Sequence, residues 1–312
     1  MFSPLILVQI LWTSLATTSC FVLFALAFAL VLKVNRVFNF AQAAIMTVAF
    51  YAAFTAVARG GAPGWAGLLA ALAGAAFMAV ALQVLGFRAL QRRRASSMFV
   101  FIFTLIVSEL ISYVAMLLFG TWPATIFPSL FWPVTMVGGI AVSQWDMLAL
   151  GATAVALIAT FAFLHLSRIG QAMTAVADNP DLAAFYGIDR NRAQLAAMVL
   201  AGLINGLAMF LYGTRAQVQP TSAIELLLFA IAATIIGGIG NLGGAVVTAV
   251  VLGLVQNASV LFIPSEWQGF LLYFFLFLAI VLFPRGVHLP VRKRPFRTVA
   301  AAARRPEEPA GG

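Results

Sequence analysis

Long apolar runs alternate with short polar ones along the chain. They lie near 10–32, 38–58, 65–87, 98–119, 146–166, 194–213, 223–239, 243–263 and 267–283. A helix crossing a bilayer needs about 20 mostly apolar residues, because each residue rises ~1.5 Å through a hydrocarbon core ~30 Å thick. The pattern therefore predicts an all-α polytopic transmembrane helix bundle of about eight or nine spans. The stretch 223–263 leaves two options open. Only Gly237-Gly238-Ile239-Gly240-Asn241-Leu242-Gly243-Gly244 divides it, so it is two full spans or a re-entrant element. Either way the chain returns to the same side.

The basic positions then give the orientation. With the N-terminus outside and the runs alternating, Lys33, Arg36, Arg88, Arg92, Arg93, Arg94, Arg168, Arg190, Arg192 and the seven basic residues from Arg285 onward fall on the cytoplasmic side. Only Arg59 and Arg215 fall outside. That split obeys the positive-inside rule, and a miscount of one span in the middle would destroy it. The segment 120–145 has no Lys or Arg but carries Trp122, Pro123, Pro128, Trp132 and Pro133. It reads as an outer loop or partly embedded hairpin with interfacial tryptophans, since the prolines argue against one clean span. Residues 1–286 form the transmembrane domain, with 170–192 as a cytoplasmic loop. Residues 287–312 form a cytoplasmic tail of disordered composition. Its cluster Arg292, Lys293, Arg294 and Arg297 suits anionic membrane lipid or a plain stop-transfer anchor.

Composition agrees and excludes other classes. The 312 residues are 63% hydrophobic and 9% charged, with mean hydropathy +1.04, whereas soluble domains are about 45–50% apolar and 25% charged. The net charge of +9 does not imply a nucleic-acid partner, because the cations sit between apolar runs as topology signals. One cysteine, Cys20, permits no intrachain disulfide and no cysteine metal site. His165 and His288 are far apart and lack clustered acids, so no metal site is expected. No Ser–His–Asp or Cys–His arrangement can be assembled, and the chain does not read as an enzyme. A P-loop needs Gly-Lys-Ser/Thr, but Lys33 precedes Val34 and Lys293 precedes Arg294. No cofactor is expected in this chain, and ATP hydrolysis would need a separate one.

Candidate functional residues fall in four places. In the loop from Arg168 to Arg192, Asn179 is a good N-cap, Pro180 suits the first helical position, Asp181 favours the positive end of the dipole and Gly187 suits the C′ stop. These predict two turns over Pro180–Tyr186, with Leu182, Phe185 and Tyr186 on one face. So short a helix must pack on something: a cytoplasmic partner, or its own membrane domain. Glu109 is the only acid well inside a predicted span. A charge there is costly, so it should face protein or water, lining a path or bonding with Ser108, Ser112 or Tyr113. Asn39 and Gln42, about one turn apart, either bond across helices or shape a translocation path. The segment Gly238–Gly243 matches G-x-G-x-x-G but lacks the strands of a dinucleotide site. It reads as a tight turn, with Gly240 and Gly244 allowing close packing and, in a functional version, a hinge. Gly202-Leu203-Ile204-Asn205-Gly206 reads as a helix–helix contact, and Glu225 as an outer residue that could meet an external protein.

Three stretches together resemble the LivH-type permeases of branched-chain amino acid ABC transporters. They are Phe38-Asn39-Phe40-Ala41-Gln42-Ala43-Ala44; Gly170-Gln171-Ala172-Met173 through Ala177-Asp178-Asn179-Pro180 to Tyr186-Gly187-Ile188; and Ile236–Ala245. Order, spacing and span count resemble the family across about residues 8–286. The resemblance implies a multi-pass protein of the bacterial inner membrane and an importer for branched-chain or related small amino acids. It implies a second, LivM-like permease subunit, two cytoplasmic ATPase subunits that carry ATP and Mg, and an extracytoplasmic substrate-binding protein. It further implies that Asp178, Asn179, Pro180, Leu182, Phe185, Tyr186 and Gly187 couple to an ATPase. Asn39, Gln42 and Glu109 are then candidates for the substrate path, and Gly237, Gly238, Gly240, Gly243 and Gly244 for hinge or packing. Related permeases carry urea or short amides, which is one alternative. An ion-coupled secondary transporter is another, supported only by Glu109.

Overall fold

The computed structural model describes residues 4–127 and 132–259, with isolated positions between 264 and 281. The run at 267–283 lies largely, and the tail from Arg285 wholly, outside the described residues. Helix α1 spans Pro4–Asn35, and α2 spans Gln42–Phe54 and continues as a π-helix through Thr55–Arg59. Helix α3, Gly64–Ala81, runs through a π-helical stretch, Leu82–Phe87, into α4, Arg88–Arg92. Then come α5 Ser97–Phe119, strands β1 Val134–Val137 and β2 Ile140–Ser143, and α6 Gln144–Leu166. Helices α7 Arg168–Asp178, α8 Pro180–Phe185, α9 Arg190–Gly213, α10 Ser222–Gly237 and α11 Leu242–Ala258 follow.

Six helices among the described residues are long and apolar enough to cross a membrane: Leu7–Asn35, Gln42–Arg59, Gly64–Arg92, Ser97–Phe119, Gln144–Leu166 and Arg190–Gly213. They coincide with the first six apolar runs. The seventh and eighth runs are α10 and α11, bent by 119° at the glycine segment. Their 16 and 17 residues amount to about 24–26 Å each, short of a hydrocarbon core. Phe229 of α10 packs against Phe21 of α1, with ring centroids 4.7 Å apart and the planes tilted by 31°, and Gly253 of α11 lies against Thr18. Counted along from either contact, the turn reaches no deeper than about the level of Ala29 on α1, short of Asn35 where α1 ends. The pair thus has the shape of a re-entrant element, one of the two readings of 223–263, and the described residues hold six full spans and this pair, the ninth run lying largely outside them.

Helix α1 is the centre of the bundle because its second half has no polar face: Val22 through Leu32 are all buried, as a helix apolar all round must be. It packs against α6, α9, α10 and α11. Outer helices α3, α5 and α6 turn Phe77, Phe99, Ile106, Leu117, Val155 and Ile158 outward, the face that lipid requires. Small residues let the inner helices close. Gly202 and Gly206 of α9 face Ala71, Ala75 and Ala79 of α3, all fully buried, so the predicted contact lies within this chain. A methyl on Gly202 would meet the Ala79 methyl at 2.9 Å.

The two ends of the bundle are distinct. At one, Arg36 reaches the α7–α8 junction and Gln91 donates to Gln194. The basic stretches 33–36, 88–94 and 168–192 therefore share that end, as the charge pattern requires. At the other end lies the 120–145 segment. Its residues 134–143 form a hairpin, one of the two readings of the segment, built from strands that the all-α fold class did not include, with Gly138 and Gly139 at φ 60° and 84° in a two-residue turn, the geometry of a type I′ hairpin. The Gln9 side chain docks it on α1, donating to the Ala141 carbonyl at 3.0 Å and accepting from its N–H at 2.7 Å.

The glycine segment divides its work by position. A side chain on Gly237 would strike the backbone of Gly244, and one on Gly244 that of Gly237, so these two glycines let α10 and α11 touch. Gly238 and Gly240 adopt φ of 94° and 89°, which favour glycine. Gly240 has open space around its Cβ position; its role is the turn, not the close packing expected of it. We predict that Gly244→Ala destabilises the protein by about 1–3 kcal/mol through overpacking, read as a lowered thermal midpoint. Gly243→Ala, which would meet only the Asn241 side chain at 3.6 Å, should leave the midpoint unchanged.

Candidate functional site

The basic end presents one structured projection, built from α7 and α8. Ser167 caps α7, its hydroxyl accepting from the Gly170 N–H at 2.9 Å. Gly170 is confined there, because a Cβ would collide with the backbone of Phe163 and Leu164. Helix α7 then packs Met173, Val176 and Ala177 inward. Its C-terminus is held by Arg36, whose guanidinium donates to the carbonyls of Ala177 and Asp178 at 2.9 and 3.1 Å. A cation at a helix C-terminus satisfies orphan carbonyls and complements the dipole. Arg36 itself sits at φ 55°, just beyond the last residue of α1, so the clamp ties the central helix to the loop.

Asn179 closes one helix and opens the next. Its Oδ1 accepts from the N–H groups of Asp181 and Leu182 at 3.1 and 3.0 Å, Pro180 occupies the first turn and Asp181 lies at the positive end of the dipole. At the other terminus Ile188 N–H donates to the Ala183 carbonyl at 3.0 Å and Gly187 N–H to Ala184 at 2.9 Å. With Gly187 at φ 79°, this is the Schellman stop that sequence spacing implied. Only Ala183 of α8 is buried. Leu182, Phe185 and Tyr186 stand 53%, 87% and 77% exposed, with the Phe185 and Tyr186 rings edge to face at 6.2 Å. The helix is braced from behind, and its apolar face is uncovered among the described residues.

The remaining candidates are dispersed. Asn39 and Gln42 are fully buried inside the bundle. Asn39 Oδ1 accepts from the Ala41 N–H at 3.1 Å, and Gln42 Oε1 accepts from Asn205 Nδ2 at 3.2 Å, a polar bridge between α2 and α9. Glu109 faces outward. Ser108 and Ser112 are buried, while Glu109 lies on the exposed side of α5, with no hydrogen bond or ion pair among the described residues. A cavity of about 530 Å³ opens between α2 and α5, lined by Thr47, Tyr51, Thr55, Ile111, Ala115 and Phe119 among others.

Sequence reasoning missed two features. Helix α7 was hidden in a stretch read as loop, although the Ser167 cap and the spacing of Met173, Val176 and Ala177 were there to find. The outer end holds a buried acid, Asp146, paired with Arg215 at 3.1 Å. The only sequence signal for that pair was an arginine on the wrong side of the charge rule.

Comparison with known proteins places this geometry. The profile of a family described as branched-chain amino acid transport system / permease component matches residues 10–280. The high-affinity branched-chain amino acid transport system permease protein LivH of Escherichia coli strain K12 is 24% identical over 293 residues, covering 89% of this chain and 94% of that protein. The probable branched-chain amino acid transport permease protein LivH of Methanocaldococcus jannaschii is 28% identical over 118 residues, 38% of each chain. The ribose import permease protein RbsC of Escherichia coli strain K12 is 28% identical over 138 residues, 42% of this chain and 41% of that one. Among solved structures, PsaBC from Streptococcus pneumoniae in complex with Fab shares the fold, with a TM-score of 0.50 and 15% identity over 87% of this chain and 91% of that one.

The capping geometry makes a direct prediction. Replacing an N-cap Asn by Ala costs about 1 kcal/mol, so Asn179→Ala should speed amide exchange of residues 181–186 about fivefold. Exchange in α9 should not change. Hydrogen-exchange mass spectrometry of the full chain reads both.

Proposed function

Because the chain belongs to the family of permease components of branched-chain amino acid transport systems, we propose that it is the membrane-spanning permease subunit of an ATP-binding cassette importer for branched-chain or related small amino acids. It works beside a second, LivM-like permease subunit, two cytoplasmic ATPase subunits and an extracytoplasmic substrate-binding protein. ATP and Mg bind the ATPase subunits, and the binding protein sets the cargo. The likeness to a ribose import permease over part of the chain fits a scaffold whose cargo is chosen elsewhere.

One observation carries the coupling part of this reading: α8 holds a bare apolar face at the basic end of the bundle. Aromatic side chains that fill a partner's pocket concentrate binding energy. The partner is the ATPase, with Leu182, Phe185 and Tyr186 entering its surface and Asp178, Asn179, Pro180 and Gly187 holding them in shape. Motion of the ATPase reaches α7 through Asn179, and α1 through the Arg36 clamp. Transport follows as the bundle shifts between outward- and inward-open states. The glycine turn at Gly237–Gly244 is the hinge or the packing point of that shift, and the Gln42–Asn205 bridge keeps α2 and α9 moving together.

Glu109 supports the second permease subunit. A carboxylate facing hydrocarbon in mid-helix costs about 2.5–3.5 kcal/mol on insertion scales, and a partner packed on the outer face of α5 removes that cost. The substrate path then runs along this face, where the carboxylate can meet a cargo ammonium group. Leu182→Asp together with Phe185→Asp should abolish co-purification of the ATPase while membrane insertion stays normal. Co-purification that survives the double change would sink the docking claim. Separately, Glu109→Gln should lower ATP-dependent amino acid uptake at unchanged protein level, and unchanged uptake would remove Glu109 from the path.

A further inference from the structure

Arg88, Arg92 and Arg192 do more than mark one side of the membrane. Orientation depends on how many cations lie on each side; it does not require cations from two distant helices to converge. Here they do. A cavity of about 470 Å³ lies at the basic end, between α4 and the start of α9, lined by Arg88, Gln91, Arg92, Asp189, Asn191 and Arg192. Gln91 Nε2 donates to Gln194 Oε1 at 3.1 Å and fastens α4 to α9 there. The acid in the wall is already engaged. Asp189 Oδ1 accepts from the N–H groups of Asn191 and Arg192 at 2.8 and 3.3 Å, and its Oδ2 pairs with Arg192 Nε at 3.3 Å. Arg88 and Arg92 have no hydrogen bond or ion pair among the described residues. The Arg88 Nε–H is buried without an acceptor, whereas its Nη groups are not closed off in that way, and Arg92 is exposed. Three cations and one carboxylate leave the wall with a net charge of +2.

The surroundings decide what kind of anion fits. Arg88 and Arg92 end the span Gly64–Arg92, and Arg192 lies in the first turn of the span Arg190–Gly213, so the cavity sits at a membrane boundary. Val84 and Leu85 stand one turn before Arg88 on its face of the helix, 38% and 76% exposed. On α9, Leu195 and Val199 follow Arg192 on one face and are partly exposed. The basic wall therefore continues into two apolar strips that run toward the middle of the bundle. A soluble anion would use the cations and leave the strips bare. An amphiphile with a phosphorylated head uses both. Arginine forks match phosphate oxygens, and basic pockets between spans on the cytoplasmic side suit anionic headgroups. Arg88 and Arg92 lie about 6 Å apart along the helix axis, so each guanidinium can hold a separate phosphate, and two phosphates balance the charge of the wall.

We infer that this cavity binds the headgroup of a phospholipid with two phosphates, of the cardiolipin type, from the cytoplasmic leaflet: one phosphate on Arg88, the other on Arg92 and Arg192, the acyl chains along Val84, Leu85, Leu195 and Val199. Held there, the lipid cross-links the ends of two spans. The site is complete within this chain and does not depend on the importer reading.

The test is native mass spectrometry of the full chain in detergent, titrated with tetraoleoyl cardiolipin, dioleoyl phosphatidylglycerol or dioleoyl phosphatidylcholine. Cardiolipin should bind as one saturable adduct, about fivefold tighter than phosphatidylglycerol, and phosphatidylcholine should not compete. Arg92→Gln is the decisive variant, because Arg92 is exposed and bonds nothing among the described residues. It should weaken cardiolipin about fivefold. Arg93→Gln removes the same charge one residue away, outside the cavity lining, and should leave binding unchanged. Millimolar pyrophosphate should not displace the lipid, since it has no chains for the apolar strips. Equal losses in Arg92→Gln and Arg93→Gln would reduce the effect to general charge and overturn the site. Phosphatidylglycerol binding as tightly as cardiolipin would overturn the two-phosphate assignment, and displacement by pyrophosphate would make the cavity a soluble-anion site. An Arg92→Gln protein that keeps its cardiolipin but no longer co-purifies with an ATPase would give the cavity to a protein interface and end the lipid reading.

Discussion

Hydrocarbon offers no hydrogen-bond partner, so each polar group between the two ends of the bundle has to be satisfied by protein. Much of the interior polarity among the described residues is met this way, although atoms such as Ser108 Oγ and Asn205 Oδ1 are buried without a partner there. Gln42 and Asn205 bond each other in the interior, and buried Thr47 and Thr234 donate back to the carbonyls of Ala43 and Ala230. Apolar bulk goes to the centre of the bundle and to its rim, small residues go where helices cross, and arginines gather at one end. Glu109 is a conspicuous departure, exposed on α5 with no hydrogen bond or ion pair among the described residues.

The basic end combines stiffness with exposure. Helix α8 is capped at both termini and backed by α7, and Arg36 joins that unit to the end of the central helix. None of these links is a long flexible loop. At the opposite end, the Asp146–Arg215 pair and the docked hairpin tie α1, α6 and the α9 terminus together. The re-entrant pair α10–α11 lies between these two regions, in contact with α1 along both halves. Helix α1 thus touches the α7–α8 projection at one end and, through Trp12 and Asp146, the ion pair at the other.

What could be read in the sequence was what is local. Apolar length located the six spans, since composition alone decides whether about 20 residues can sit in lipid. Helix α8 was legible because Asn179, Pro180 and Gly187 carry their structural instructions within one turn. The outward direction of Glu109 was missed although a signal existed: Thr104, Ser108 and Ser112 recur every four residues on the buried face of α5, and Glu109 lies off that stripe. The Asp146–Arg215 pair joins residues 69 apart, and no spacing rule reaches that far. Strands of four residues are too short to leave a period-two signature beside longer apolar runs. The glycine segment was legible as a turn, but the separate roles of Gly237, Gly240 and Gly244 depend on how closely α10 meets α11.

The central claim is that this chain alternates across a bilayer with its arginine-rich stretches and α8 on one face and the α9–α10 connection on the other. Single cysteines on a Cys20→Ser background test it, because the native thiol is buried and its loss leaves no other. Arg92→Cys, Phe185→Cys and Gln219→Cys would each be exposed to an impermeant maleimide in right-side-out and in inverted vesicles. The account predicts that the first two react only in inverted vesicles and the third only in right-side-out ones. Reaction of Arg92→Cys and Phe185→Cys from opposite faces would contradict it.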